Sequence, residues 1–183
     1  EQAMQQLQML LRQNSGALTP PPSQPVAPPP QALNPADVYN PSGYLTNLGA
    51  VESSDRDDAV NSRSGATGRY QFIQPTWDAI RQQRPDLQLS ADGRTDRAQS
   101  ERAVRHLTEQ NSKALAPALG RAPTHAELYL AHFFGPGWAT SVLKNPETLV
   151  DTLLPQSCLE ANPMLRGQTG AQLIQHFGKK FNR

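Results

Sequence analysis

The chain has 183 residues and a formal net charge of +1, from 17 Lys+Arg against 16 Asp+Glu. This length holds one compact domain but not two, and the near balance of charge excludes a broad basic surface for nucleic acid. The single cysteine, Cys158, excludes an internal disulfide and a metal site built on paired thiolates. We expect Cys158 to be buried, and a polar, near-neutral ligand fits this composition.

The first 33 residues differ in composition from the rest of the chain. Residues 1–18 begin with EQAMQQLQMLLRQ, whose apolar residues have the spacing of a short amphipathic leader helix, either frayed or docking on a partner. Residues 19–33 form a Pro-rich linker, because proline lacks the N–H group that helices and sheets require. We expect the folded domain to occupy residues 34–183. No run approaches the roughly 18 apolar residues of a transmembrane segment.

Apolar residues recur at intervals of three and four through most of residues 34–183, which predicts a mainly α fold with at most a small β-hairpin. The Asn40-Pro41 pair is typical of a helix start, and the box Thr124-His125-Ala126-Glu127 caps the helix that follows it. Residues 62–72 are typical of a tight loop or small hairpin. Helices are predicted over residues 41–52, 76–84, 95–119, 125–134, 136–143, from 145 onward, 155–161 and 169–177.

Glu52 is the candidate catalytic residue. It falls at the C-terminal end of the first of these helices, where the helix dipole disfavours a negative charge, so a purely structural role is poorly explained. A carboxyl group enclosed by aromatic side chains would have a raised pKa and, when protonated, could donate to a glycosidic oxygen. Gly65 and Gly68 permit positive φ in the facing turn, and Gln71 carries both a donor and an acceptor. The alternative is an ordinary solvated carboxylate.

The order of several short segments is more specific than any one of them. They are ES (52–53), AVN (59–61), GATGRYQF (65–72) and TW (76–77). Together they resemble the bacterial soluble lytic transglycosylase (SLT) family, which is related in fold to goose-type lysozyme. A third family motif, Ala-Tyr-Asn-x-Gly, is similar to LAHFFG at 130–135, with His132 and Phe133 in place of the tyrosine and asparagine. The resemblance covers roughly residues 40–143.

This resemblance implies a lysozyme-like transglycosylase domain that cleaves the β-1,4 bond between N-acetylmuramic acid and N-acetylglucosamine in peptidoglycan. Glu52 would be the catalytic acid and then the base, giving a 1,6-anhydro sugar without a cofactor or metal. The substrate's own N-acetyl oxygen would replace a second carboxylate. The implied substrate-binding residues are Ser53, Gly68, Tyr70, Gln71 and His132.

Two other functions remain open at this point. One is a hydrolytic muramidase on the same fold, using an aspartate from residues 55–58 to activate water. The other is a non-catalytic wall-binding or structural module. We expect Trp77 to be a core residue and Arg63, Arg69 and Arg81 to be surface residues. The protein is expected in the bacterial cell envelope or periplasm, or alternatively in a phage virion, with residues 1–39 available to join a larger assembly such as a virion or secretion apparatus.

Overall fold

The computed structural model describes residues 41–62 and 64–181, and it is mainly helical, which confirms the predicted fold class. The predicted leader helix and Pro-rich linker lie outside these residues. The α-helices of the described part are α1 Pro41–Ser53, α2 Gln74–Gln83, α3 Arg97–Leu119, α4 His125–Phe134, α5 Pro136–Lys144, α6 Val150–Leu153, α7 Gln156–Ala161 and α8 Gly170–Phe181. Short 3₁₀ turns cover Pro85–Leu87, Gly93–Thr95 and Pro163–Leu165.

Helix α4 lies at the centre of the fold. Its residues from Glu127 to Phe134 are all buried, and it packs against α3, α5 and α8. The predicted capping box is present: Thr124 N donates to Glu127 Oε2 at 2.7 Å, and Glu127 N donates to Thr124 Oγ1 at 3.3 Å. Arg121 donates to both carboxylate oxygens of Glu127, at 2.7 and 2.8 Å. The start of the central helix is therefore fixed by an ion pair as well as by its cap.

The expected small hairpin is reduced to isolated antiparallel pairs within the described residues. Thr67 pairs with Val60 on one side and with Phe72 on the other. Thr67 N donates to Phe72 O at 3.0 Å and Phe72 N donates to Thr67 O at 3.1 Å, so residues 67–72 form a closed turn. This turn faces the end of α1.

Two predicted helix bounds are wrong by more than two residues. Residues 145–149 form a turn, because Val150 N donates to Gln168 O and Gly170 N to Thr148 O, both at 2.9 Å, which joins this segment to the start of α8 instead. Helix α8 also continues to Phe181, beyond the predicted end at 177, since Phe181 is fully buried. Both differences arise from contacts between distant segments, which local periodicity does not report.

Two predicted core residues are confirmed. Trp77 is fully buried and its Nε1 donates to Ser90 O at 2.7 Å, and Cys158 is buried. Within residues 41–62 and 64–181, no helix combines the length and the apolar character needed to cross a membrane.

Candidate active site

Glu52 lies in the last turn of α1 and only 6% of its surface is exposed. The same helix buries Tyr44, Leu45 and Leu48 in the core, so Glu52 continues the core-facing side of the helix to its end. Buried carboxylates are rare unless they have partners. The structure thus excludes the alternative of a fully solvated surface glutamate.

The chain reverses direction immediately after Glu52. Ser54 (φ 54°) and Asp55 (φ 63°) are both left-handed, and their N–H groups return to the carbonyls of Ala50 and Gly49 at 3.1 Å. Left-handed non-glycine residues cost energy and are concentrated at functional sites. The Ser53 hydroxyl takes part in this reversal, because it donates to Gly49 O at 3.2 Å and accepts from Arg56 N at 3.1 Å. Its predicted contact with substrate stays a prediction.

Arg69 joins this reversed segment to the glycine turn. Its guanidinium donates to Asp55 Oδ1, to the Asp55 carbonyl at 2.5 Å, and to Asp57 Oδ1 at 2.7 Å. The hydrogen bond to Asp57 raises the pKa of Arg69 above its ordinary value. The prediction that Arg69 is a surface residue was wrong: it is 9% exposed, because two aspartates supply the partners that a buried guanidinium needs. Breaking such a pair is costly, so Arg69 fixes the two segments together.

Gly68 lies in the turn that Arg69 joins to the segment after Glu52. It has φ +82°, as predicted for a glycine here, and its N–H donates to Ala59 O at 2.8 Å. A Cβ built on Gly68 would lie 1.9 Å from the carbonyl oxygen of Arg94, which is far inside van der Waals contact. This face of Gly68 is therefore filled by the chain itself, and a contact of Gly68 with substrate stays a prediction.

Gln71 is held in a fixed orientation. It is 4% exposed with φ 51°, and its Nε2 donates to Gly68 O at 2.8 Å and to Ala59 O at 3.3 Å. Both amide hydrogens are thus directed at backbone carbonyls, which leaves Oε1 as the group that can accept from a ligand. The sequence had indicated a donor and an acceptor, and the structure assigns the donor to the turn itself.

Tyr70 points into the core beside α3. It is 2% exposed, and burial together with the charge of Glu101 raises its pKa to about 12. Tyr70 is therefore part of the packed core, and its predicted contact with substrate stays a prediction.

Tyr129 of α4 is the residue that sequence analysis missed. Its pKa is raised far above the ordinary range, first by burial, then by the charge of Glu52 and by interaction with Tyr44. The Tyr129 hydroxyl and the Glu52 carboxylate are close enough to interact, although their geometry falls short of a regular hydrogen bond. Tyr44 and Tyr129 both pack on Phe181, with ring centroids 5.1 and 5.0 Å apart. Helix α8 therefore supports Tyr129, which interacts with Glu52, and Tyr44, which interacts with Tyr129.

His132 lies one helical turn after Tyr129 and is 4% exposed. Its ring stacks on Tyr129 at 6.4 Å, and neither ring nitrogen has a hydrogen-bond partner in the described part of the chain. Burial lowers the pKa of His132 to about 4, so the ring is neutral at neutral pH. A contact of this residue with substrate stays a prediction. His132 and Tyr129 are three residues apart and lie on the same side of the helix.

The burial of His132 predicts a loss of stability in acid. Because its folded-state pKa lies below the ordinary value of 6.5, the unfolded state binds the proton more readily, and stability falls as the pH is lowered from about 6.5 to about 4. This effect is on the order of 3 kcal/mol. Denaturant unfolding at pH 7 and pH 4 should show a smaller loss in His132→Phe than in the unchanged protein.

His176→Gln is the matched control, since it removes an imidazole from an exposed position. His106 has a pKa lowered by burial and by Arg84, so part of the acid sensitivity will persist in His132→Phe. An identical loss of stability in His132→Phe and in the unchanged protein would show that the burial of His132 does not cause the acid sensitivity.

Among the described residues, no group of three or more His, Cys, Asp or Glu side chains is arranged to hold a metal ion.

A stretch of 41 residues is 44% identical to the "Probable transglycosylase SceD" of Staphylococcus aureus, in strains Newman, USA300 and COL. The match covers 22% of this chain and 18% of each relative's length. No protein-family model matches the chain. The chain is therefore similar to a transglycosylase over part of its length, which supports the family resemblance in part.

Proposed function

We propose that the protein is a peptidoglycan lytic transglycosylase that cleaves the β-1,4 bond between N-acetylmuramic acid and N-acetylglucosamine. The observation that carries the proposal is a single carboxylate, Glu52, that is 6% exposed at a helix end and interacts with Tyr129. Enclosure of this kind favours the protonated form that a general acid needs. The partial similarity to a probable transglycosylase supports the same chemistry.

In the proposed mechanism Glu52 donates its proton to the glycosidic oxygen as the bond to the anomeric carbon breaks. The N-acetyl oxygen of the substrate stabilises the developing positive charge, which is one of the known exceptions to the use of two carboxylates. Glu52, now ionised, then takes the proton of the muramic acid 6-hydroxyl, whose oxygen attacks the anomeric carbon. The product is a 1,6-anhydro sugar, and Glu52 is protonated again. The Tyr129 hydroxyl lies close enough to interact with the carboxyl group of Glu52.

The hydrolytic alternative needs a second carboxylate near Glu52 that is available as a base. The aspartates after Glu52 are all in ion pairs: Asp55 and Asp57 bind Arg69, and Asp58 binds Arg56 at 3.2 Å. Asp55 and Asp57 are therefore already engaged by Arg69, and the Asp58 pair lies on the exposed surface. These pairings favour the transglycosylase over the muramidase.

The products of digestion distinguish the two reactions. We expect mass spectrometry of digested glycan strands to find fragments that are lighter by one water than hydrolysis products, with anhydro ends, because the 6-hydroxyl replaces water as the nucleophile. Free reducing ends in place of anhydro ends would exclude the proposal and favour hydrolysis. No cleavage by a folded protein would favour the non-catalytic module.

Such an activity would place the protein in the bacterial cell envelope or periplasm, or in a phage virion. We propose that residues 1–39 attach it to a larger assembly that opens the wall locally.

A further inference from the structure

A second polar feature lies on the outer side of α8, formed by that helix and the turn before it. It is an open cleft of about 460 Å³, which is within the usual range for a small-ligand site. Its lining residues are Arg166, Gly167, Gln168, Gln172, Gln175, His176 and Lys179. None of the residues near Glu52 takes part, so the cleft is distinct from the candidate active site.

The cleft follows from the two-sided pattern of α8. The helix buries Leu173, Phe177 and Phe181 against the core. The residues of α8 that line the cleft lie on the opposite side of the helix, three or four positions apart. They are all polar: Gln172, Gln175, His176 and Lys179. Because no apolar side chain contributes to the lining, the cleft is suited to a charged or hydrogen-bonding ligand and not to an apolar one.

The charged side chains that line the cleft are all positive. Arg166 and Lys179 are cationic, and no carboxylate lines the cleft. The nearest acid, Asp151, accepts from Gly167 N at 2.7 Å and lies 3.9 Å from Arg166, at the outer limit of an ion pair. Lys179 has no ion pair within the part of the chain that the structure describes. Arg166 and Lys179 therefore keep donors for an anionic group from outside.

Two glutamines of the cleft are oriented before any ligand arrives. Gln172 Oε1 accepts from Thr169 N at 2.9 Å, which leaves the side-chain N–H groups of Gln172 as donors. Gln168 Nε2 donates to Met164 O at 2.7 Å, which leaves its Oε1 as an acceptor. The cleft thus offers a donor amide and an acceptor amide beside two cations, and fixed groups of this kind lose less entropy on binding.

We propose that this cleft binds a carboxylate-bearing peptide stem of peptidoglycan, a role that rests on the proposed function. The cations match a free carboxylate, and the paired amides match the N–H and C=O groups of a peptide bond. A bare sugar is less well matched, because the lining has no phenyl, phenol or indole ring to stack on. Holding the stem here keeps the same polymer close to Glu52 and raises its effective concentration there.

The test uses the full chain carrying Glu52→Gln, so that the ligand is not cleaved. Three probes are compared by calorimetry and by amide NMR shifts: a muropeptide with free stem carboxylates, the same muropeptide with those carboxylates amidated, and an oligomer of glycerol phosphate. The variant Arg166→Gln/Lys179→Gln is compared with Lys113→Gln/Lys144→Gln, which removes the same total charge from exposed positions elsewhere.

We expect the free-carboxylate muropeptide to bind with saturable shifts at Gly167 and Gln172. Loss of Arg166 and Lys179, or amidation of the stem, should weaken binding about tenfold or more, as expected when charge-assisted hydrogen bonds are lost. The control variant should bind as the parent does. Equal binding of the amidated probe, tighter binding of the phosphate oligomer, shifts absent from the cleft or equal weakening in the control variant would each overturn the proposal.

The outcome separates the two proposals. Glycan strands without stems test only the chemistry at Glu52. If they are cleaved to anhydro products while stem binding is absent, the cleft assignment fails and the proposed function stands. If stems bind at the cleft while no strand is cleaved, the cleft assignment stands and the proposed function fails.

Discussion

Replacing Glu52 with glutamine should abolish most of the cleavage of cell walls, by about 10²–10⁴-fold, the range that a positioned general acid contributes. Glutamine has nearly the same shape but carries no titratable proton, so both proton transfers of the proposed mechanism are lost. The fold should survive, because the amide fits the space of a carboxyl group that is 6% exposed. The measurement is the rate of clearing of purified walls, with thermal unfolding as the check on folding.

Glu109→Gln is the matched control. Glu109 is an exposed residue of α3, so this substitution removes the same charge from a position without an assigned role. Its clearing rate should equal that of the unchanged protein. Unchanged clearing by Glu52→Gln would remove this residue from the mechanism and with it the central claim of the proposal.

Gly68→Ala is expected to destabilise the fold by about 3 kcal/mol or more, the range of severe core clashes and backbone strain. Two costs combine at this position. The φ of +82° is unfavourable for alanine, and its Cβ would lie 1.9 Å from a backbone carbonyl that cannot rotate away. Denaturant unfolding followed by circular dichroism measures the change. Cleavage should fall as well, because the turn that Arg69 joins to the segment after Glu52 must shift to relieve the contact.

Gly65→Ala separates the two costs. Gly65 has φ +69°, close to that of Gly68, but a Cβ there meets nothing within 4 Å. This variant should lose only about 1 kcal/mol, the cost of a left-handed residue that carries a Cβ. If the two variants were destabilised equally, backbone strain alone would account for the loss, and the close approach of Arg94 to Gly68 would not be what restricts this position.

The sequence predicted the features that depend on neighbouring residues. The mainly α fold follows from apolar spacing, the start of α4 from the Thr124 box, and the positive φ of Gly65 and Gly68 from the absence of a side chain. The position of Glu52 at the end of α1 was predicted in the same way. Each of these is set within a few residues of chain, where periodicity and capping act directly.

Features that depend on distant contacts were not accessible from the sequence. Arg69 was assigned to the surface because arginines usually lie there, and only the fold brings Asp55 and Asp57 to its guanidinium. Tyr129 was not among the predicted site residues, because the segment similar to the family motif begins at residue 130. The sequence did indicate that positions 129 and 132 share a helix face, because residues three apart do so. Which of the two side chains approaches Glu52 depends on how α4 packs against α1.

The stack of Phe181 on Tyr44 and Tyr129 bears on when the candidate site is assembled during protein synthesis. A ribosome makes α1 early and the end of α8 much later. A nascent chain therefore carries Glu52 long before Phe181, which packs on Tyr44 and Tyr129, has emerged. Glu52 therefore lacks its full surroundings until α8 has been made, and the proposed wall cleavage would begin only after that point.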